Sequence, residues 1–241
     1  MRICRYDTAE QACRAAALMV GAEMIRKPDC ILGLATGSTP IPLYQELIRL
    51  NQDGILDFST VTSFNLDEYI GIPEDHPCSY HRFMRDQLFD HINIRPEATH
   101  VPDGNAKDMN AAALAYDRQI LESGGIDLQI LGIGRNGHIG FNEPGNHFVY
   151  GCHVVNLTAS TIDANKRFFD SEADVPRQAV SLGIGSIMSA KCVLLIATGA
   201  DKANAVREAI YGEVNPDVQA SILRTHPNVI FLLDKGAASL L

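Results

Sequence analysis

The sequence predicts an α/β fold, a single Rossmann-like domain over residues 1–241 whose mostly parallel sheet is covered by helices on both faces. Three observations predict it. Short runs of aliphatic and β-branched residues alternate with amphipathic segments. The runs are continuously apolar, as strands buried on both faces must be. No Pro/Gly-rich linker divides the chain.

The elements follow in order. A first helix is predicted from Thr8, because Gln11 three residues on completes a capping box. Ala12, Ala15, Ala16 and Met19 keep helical spacing behind it. Strands are predicted at "CILGLAT" (30–36), "VTSFNL" (61–66), "DLQILGI" (127–133), "CVLLIAT" (192–198) and "NVIFLLD" (228–234). "HVVNL" (153–157) and "AVSLGI" (179–184) are weaker strand patterns. Further helices are predicted from Pro40 to Leu50, Ser79 to His91, Met109 to Glu122 and Lys202 to Tyr211.

Composition narrows the function classes. The 241 residues carry a formal net charge of -9, which disfavours a nucleic-acid or anionic-membrane surface. No apolar run reaches membrane-spanning length, and the N-terminus has no signal-peptide core. The six cysteines at 4, 13, 30, 78, 152 and 192 form no C-x-x-C pair. They read as reduced, mostly buried residues of a cytoplasmic protein.

In such folds ligands gather at the carboxyl ends of the strands, which selects the loops that matter. "TGSTP" (36–40) offers Gly37, Ser38 and Thr39 at a helix start, a combination suited to phosphate. The alternative is a plain strand-to-helix turn with Ser38 or Thr39 as the cap. "ATGADK" (197–202) repeats the pattern and adds Lys202. "FNLDEYIG" (64–71) sets Asp67 and Glu68 at a strand end, where one carboxylate can face a site as a general base.

The loop "GIGRNGHIGFNEPG" (132–145) spells G-x-G-x-x-G. A dinucleotide turn needs a helix after its third glycine and an acid about 20 residues on. Here Gly140, Pro144 and Gly145 oppose a helix, and "NLTAS" (156–160) carries no acid. The loop is instead a glycine-rich strand end bearing Asn136, His138, Asn142 and Glu143. A histidine beside a carboxylate suits proton transfer. The histidines form no H-E-x-x-H or similar ligand pair, so no metal is expected, and there is no G-x-S-x-G nucleophile elbow.

Taken together, "LATGSTP", "FNLDEYIG", "GIGRNGHIGFNEP", "RFFD" (167–170) and "TGADKA" (198–203) closely resemble the glucosamine-6-phosphate deaminase family. The match runs over nearly the whole chain, in order. The wider superfamily includes 6-phosphogluconolactonases, but the Asn142-Glu143-Pro144 ending resembles the deaminases. The resemblance implies a seven-stranded sheet. It implies conversion of D-glucosamine 6-phosphate to D-fructose 6-phosphate and ammonia in amino-sugar catabolism, with neither metal nor cofactor. A lactone hydrolase and a non-catalytic sugar-phosphate sensor are the alternatives.

By the same resemblance Asp67 is the base at the sugar C2. His138 opens the ring, oriented by Glu143 and Asn136. Gly37, Ser38, Thr39, Arg167 and Lys202 bind the phosphate, and Phe168 and Phe169 either close over the sugar or pack in the core. Two departures stand out. Some members carry aspartate where this chain has Asn136. The longer hexameric members have basic residues where this chain has His153 and Val155, and they extend further at the C-terminus. A monomer without allosteric activation is therefore expected, with a homo-oligomer as the alternative.

Overall fold

The computed structural model describes residues 1–241 except 167, 168, 170, 172 and 173. Ten strands and seven α-helices are found among the described residues, in the order β1 (Arg2–Tyr6), α1 (Ala9–Arg26), β2 (Ile31–Leu34), α2 (Ile41–Gln52), β3 (Thr62–Asn65), β4 (Asp67–Tyr69), α3 (Tyr80–Gln87), β5 (Thr99–His100), α4 (Met109–Glu122), β6 (Leu128–Leu131), β7 (His153–Asn156), α5 (Ala159–Asn165), β8 (Gln178–Ser181), α6 (Ile184–Met188), β9 (Cys192–Ala197), α7 (Ala203–Tyr211) and β10 (Val229–Asp234). Seven strands form one sheet in the order β1-β10-β9-β6-β2-β3-β5. Every pairing within it is parallel.

The central strands β2 and β6 are buried at all four positions. Successive side chains point to opposite faces, so complete burial means that both faces are covered. The Thr8 capping box forms as predicted: its hydroxyl accepts from Gln11 N, and the Gln11 side chain accepts from the Thr8 backbone. At the amino ends of the central strands Asp127 closes the sheet. Its buried carboxylate accepts from Ile31 N at 2.8 Å and pairs with Lys27 and Lys191 at 2.7 and 2.6 Å.

A second sheet of three antiparallel strands, β4-β8-β7, leans on the end of the first. It was not legible as a sheet in the sequence, because β4 is only three residues long and follows β3 after a single residue. The predicted strand 179–184 is divided: β8 ends at Ser181, and Ile184 begins α6. The predicted helix 79–91 stops at Gln87 and passes into a 3₁₀ turn at Phe89–His91. Among the described residues no helix is long and apolar enough to cross a membrane.

Candidate active site

A cavity of about 530 Å³ opens at the carboxyl ends of β2, β3, β6 and β9. Its walls are the four loops selected from the sequence: Ala35–Thr39, Leu66–Asp67, Gly132–Phe141 and Thr198–Lys202. Thr161 and Asp163 of α5 and Tyr80 of α3 complete it.

Asp67 opens β4 and reaches the cavity at 6% exposure. Burial, helped by the negative charge of Glu68, pushes its carboxyl up to about 8. Among the described residues neither of its oxygens accepts a hydrogen bond. Glu68 points the other way, as strand alternation requires. Its buried carboxylate accepts from Tyr69 N at 2.8 Å, Tyr80 N at 2.9 Å and His81 N at 3.0 Å. Glu68 thus fixes the start of α3, and with it the Tyr80 ring, which stacks on Phe141 at 6.1 Å. The sequence left open which of the two acids faces the site; the fold selects Asp67.

The loop after β6 does not continue as a helix; it turns back on itself through an Ile139–Asn142 bridge. Gly134 lies flat against the imidazole of His138, where a Cβ would sit 2.4 Å from the ring. Gly137 holds φ 85°, in the left-handed region that glycine favours. The loop is tied to the end of β8 by Phe141 N donating to Ser181 Oγ at 3.1 Å, and to the next residue by Asn142 Nδ2 donating to Leu182 O at 2.8 Å. Ser181 also pairs in register with Asp67. The small sheet therefore sets the carboxylate and the histidine loop relative to each other.

His138 Nδ1 lies 3.4 Å from Glu143 Oε2. This is an ion-pair distance, but the ring nitrogen makes no well-aligned hydrogen bond. Glu143 is strongly anchored. Asn136 Nδ2 donates to its Oε2 at 2.9 Å, and Thr161 Oγ1 donates to its Oε1. Burial would raise this carboxyl, but the close approach and charge of His138, then the bonds from Thr161 and Asn136, outweigh burial and hold it at about 2. Asn136 makes no hydrogen bond to the imidazole ring among the described residues, and holds His138 through its backbone instead. Its Oδ1 accepts from the His138 backbone N at 3.2 Å, and its amide steadies Glu143. Thr161 was missed in the sequence, since an isolated threonine ninety-odd residues from Asp67 carries no pattern.

Gly37 takes φ 91°, and the N–H groups of Gly37, Ser38 and Thr39 make no backbone hydrogen bond among the described residues. Helix α2 has Pro40 as its N-cap with no side-chain cap bond, so neither Ser38 nor Thr39 serves as one. The loop faces the cavity with unused donors, the arrangement that suits an oxyanion. The matching loop after β9 is spent differently: Gly199 N donates to both oxygens of Asp234, at 3.0 and 2.9 Å. Lys202 lines the cavity. Arg167 and Phe168 lie outside the described residues. Phe169 packs edge-on to Tyr69 at 5.8 Å, which fits the core alternative for that ring. Among the described residues no group of three or more His, Cys, Asp or Glu side chains has metal-holding geometry.

Comparison with known proteins points the same way. A family model described as glucosamine-6-phosphate isomerases/6-phosphogluconolactonase matches residues 5–231. A protein of Halothermothrix orenii named glucosamine-6-phosphate deaminase is 52% identical over 241 residues, covering 100% of both chains. One of Clostridioides difficile with the same name is 50% identical, covering 99% of this chain and 96% of the relative. A solved structure described as a monomeric glucosamine-6-phosphate deaminase superposes with a TM-score of 0.98 at 44% identity, over 100% of both chains. A 6-phosphogluconolactonase from Trypanosoma brucei, 23% identical, covers 100% of this chain and 98% of its own with a TM-score of 0.75, a likeness of fold.

Proposed function

The chain belongs to the family of glucosamine-6-phosphate isomerases and 6-phosphogluconolactonases, and from that premise we propose that it converts D-glucosamine 6-phosphate to D-fructose 6-phosphate and ammonia. The observation that carries this reading is one cavity lined by a proton-poised carboxyl, by an imidazole backed by the Glu143 carboxylate, and by a loop whose backbone donors make no hydrogen bond among the described residues.

The chemistry assigns each group a task. The phosphate rests on Gly37, Ser38 and Thr39, with Lys202 and Arg167 supplying positive charge. His138 moves protons between the ring oxygen and the anomeric hydroxyl, which opens the sugar to its aldehyde. Glu143 stabilises the imidazolium, and Asn136 and Thr161 hold Glu143 in place. The aldehyde acidifies the C2 proton, and Asp67 removes it. The electron pair left at C2 forms the C1–C2 double bond of an enolamine, and the C1 oxygen takes up a proton. Asp67 then returns its proton to C1, leaving an imine at C2. Water adds to the imine, and ammonia leaves. C2 is oxidised and C1 reduced within one molecule, so the step needs no external electron acceptor, and only the last stage is hydrolytic.

A carboxyl near 8 suits this work: its ionised form is a stronger base than an ordinary aspartate. We further infer that the chain acts as a monomer in the cytoplasm, in amino-sugar breakdown. The high likeness to a solved structure described as monomeric supports the first point. The test compares substrates. Purified protein should release ammonia and fructose 6-phosphate from glucosamine 6-phosphate, and should not accelerate hydrolysis of 6-phosphogluconolactone. Lactone hydrolysis without ammonia release would replace this reading with a lactonase. Tight sugar-phosphate binding without turnover of either would leave a sensor.

A further inference from the structure

The cavity holds an arginine that neither the motif resemblance nor the proposed chemistry uses. Arg135 follows Gly134 in the histidine loop and lines the same cavity as Gly37, Ser38, Thr39 and Lys202. Its Nε donates to Asp201 Oδ2 at 2.8 Å. Asp201 precedes Lys202, so the pair bridges the histidine loop and the loop after β9. Among the described residues the two Nη groups make no hydrogen bond, and the side chain is 67% exposed. The guanidinium is thus tethered along one edge, and the other edge is free to donate.

The electrostatics of the cavity require such a group. Asp67, Asp163 and Asp201 all line it, in a chain of net charge -9. A sugar phosphate brings up to two more negative charges into the same space. Arg135 and Lys202 are the lysine or arginine residues among the described lining. Arginine offers a planar fork that donates two parallel bonds to phosphate oxygens.

We propose that Arg135 is a further phosphate-binding residue, oriented by Asp201 so that its Nη edge donates to the substrate phosphate. The proposal rests on the sugar-phosphate reading of the cavity. It predicts a residue that serves affinity for the anion, distinct from the proton-transfer groups beside it.

The test uses inorganic phosphate as the probe, with calorimetry on the wild type, Arg135→Ala, Arg135→Lys and, as a remote surface control, Arg118→Ala. Arg135→Ala should weaken phosphate binding about tenfold, and Arg135→Lys should recover part of the loss. In turnover KM should rise by a similar factor, with kcat falling much less. Phosphate binding by Arg135→Ala within twofold of wild type overturns the proposal. So does equal weakening by Arg118→Ala, which would mark a general field effect. A loss in kcat with KM unchanged assigns the Arg135–Asp201 pair to loop positioning and also overturns it. Ammonia release by the wild type tests the underlying reading separately, so the two can fail independently.

Discussion

Asp67 and Glu68, adjacent in the chain, hold their carboxyl groups in opposite circumstances: Glu68 accepts hydrogen bonds from three backbone N–H groups, and Asp67 from none among the described residues. One acid builds the wall and the other faces the cavity with its proton affinity raised. The contrast follows from β4, whose strand geometry turns the two side chains apart.

Glu68→Gln separates these tasks. The amide offers one acceptor oxygen where the carboxylate offers two, so the start of α3 loses hydrogen bonds and about 1–3 kcal/mol of stability. It also removes a negative charge beside Asp67. The acid limb of kcat/KM should then move to lower pH, yet stay above the usual carboxylate range, because burial is the larger cause of the shift. Urea unfolding and a pH–rate profile read the two effects separately.

Gly134→Ala tests the placement of the imidazole. The backbone there lies outside the positive-φ region, so alanine is conformationally allowed. Its Cβ would sit 2.4 Å from the His138 ring, which must move. A displacement on the order of 1 Å costs about 100-fold in rate. Steady-state kinetics should show that loss, and thermal melting should show a protein that still folds.

Asn136→Asp replaces a donor with a second carboxylate beside Glu143. The 2.9 Å bond from Asn136 Nδ2 becomes a repulsion, costing about 1–3 kcal/mol at pH 7. Glu143 is ionised at that pH in the wild type, since its carboxyl is held near 2. In the variant the two acids compete for a proton, so one titrates at a higher pH than normal. As pH falls through that raised value the pair takes up a proton in the folded state, and the deficit relative to wild type shrinks. Urea unfolding at pH 7 and pH 5 should show the larger gap at pH 7.

Much of this site was legible before any coordinates. The apolar runs predicted β2, β6, β9 and β10, because burial on both faces favours aliphatic residues, and β3 was predicted although it carries buried Ser63 and Asn65. Pro144 and the glycines around it argued against a nucleotide-binding helix, and the loop bends back through the Ile139–Asn142 bridge. Short elements were not legible. β1 carries two arginines in five residues, and β5 is two residues long, so neither presents a continuous apolar run to find. Sequence proximity to His138 does not reveal that the Asn136 amide also reaches Glu143. Thr161 reaches the site through tertiary placement alone, whereas Arg135 lies in the selected loop and carried no pattern that marked it out from its neighbours.

The central claim is that Asp67 moves the C2 proton of an open-chain amino-sugar phosphate. Glucosamine 6-phosphate deuterated at C2, turned over in ordinary water and followed by NMR, tests it most directly. The wild type should remove the C2 deuteron while releasing ammonia, delivering it to C1 of fructose 6-phosphate or losing it to solvent. Asp67→Asn should retain the C2 label and still bind inorganic phosphate. Loss of the C2 deuteron at the wild-type rate in Asp67→Asn would contradict the account.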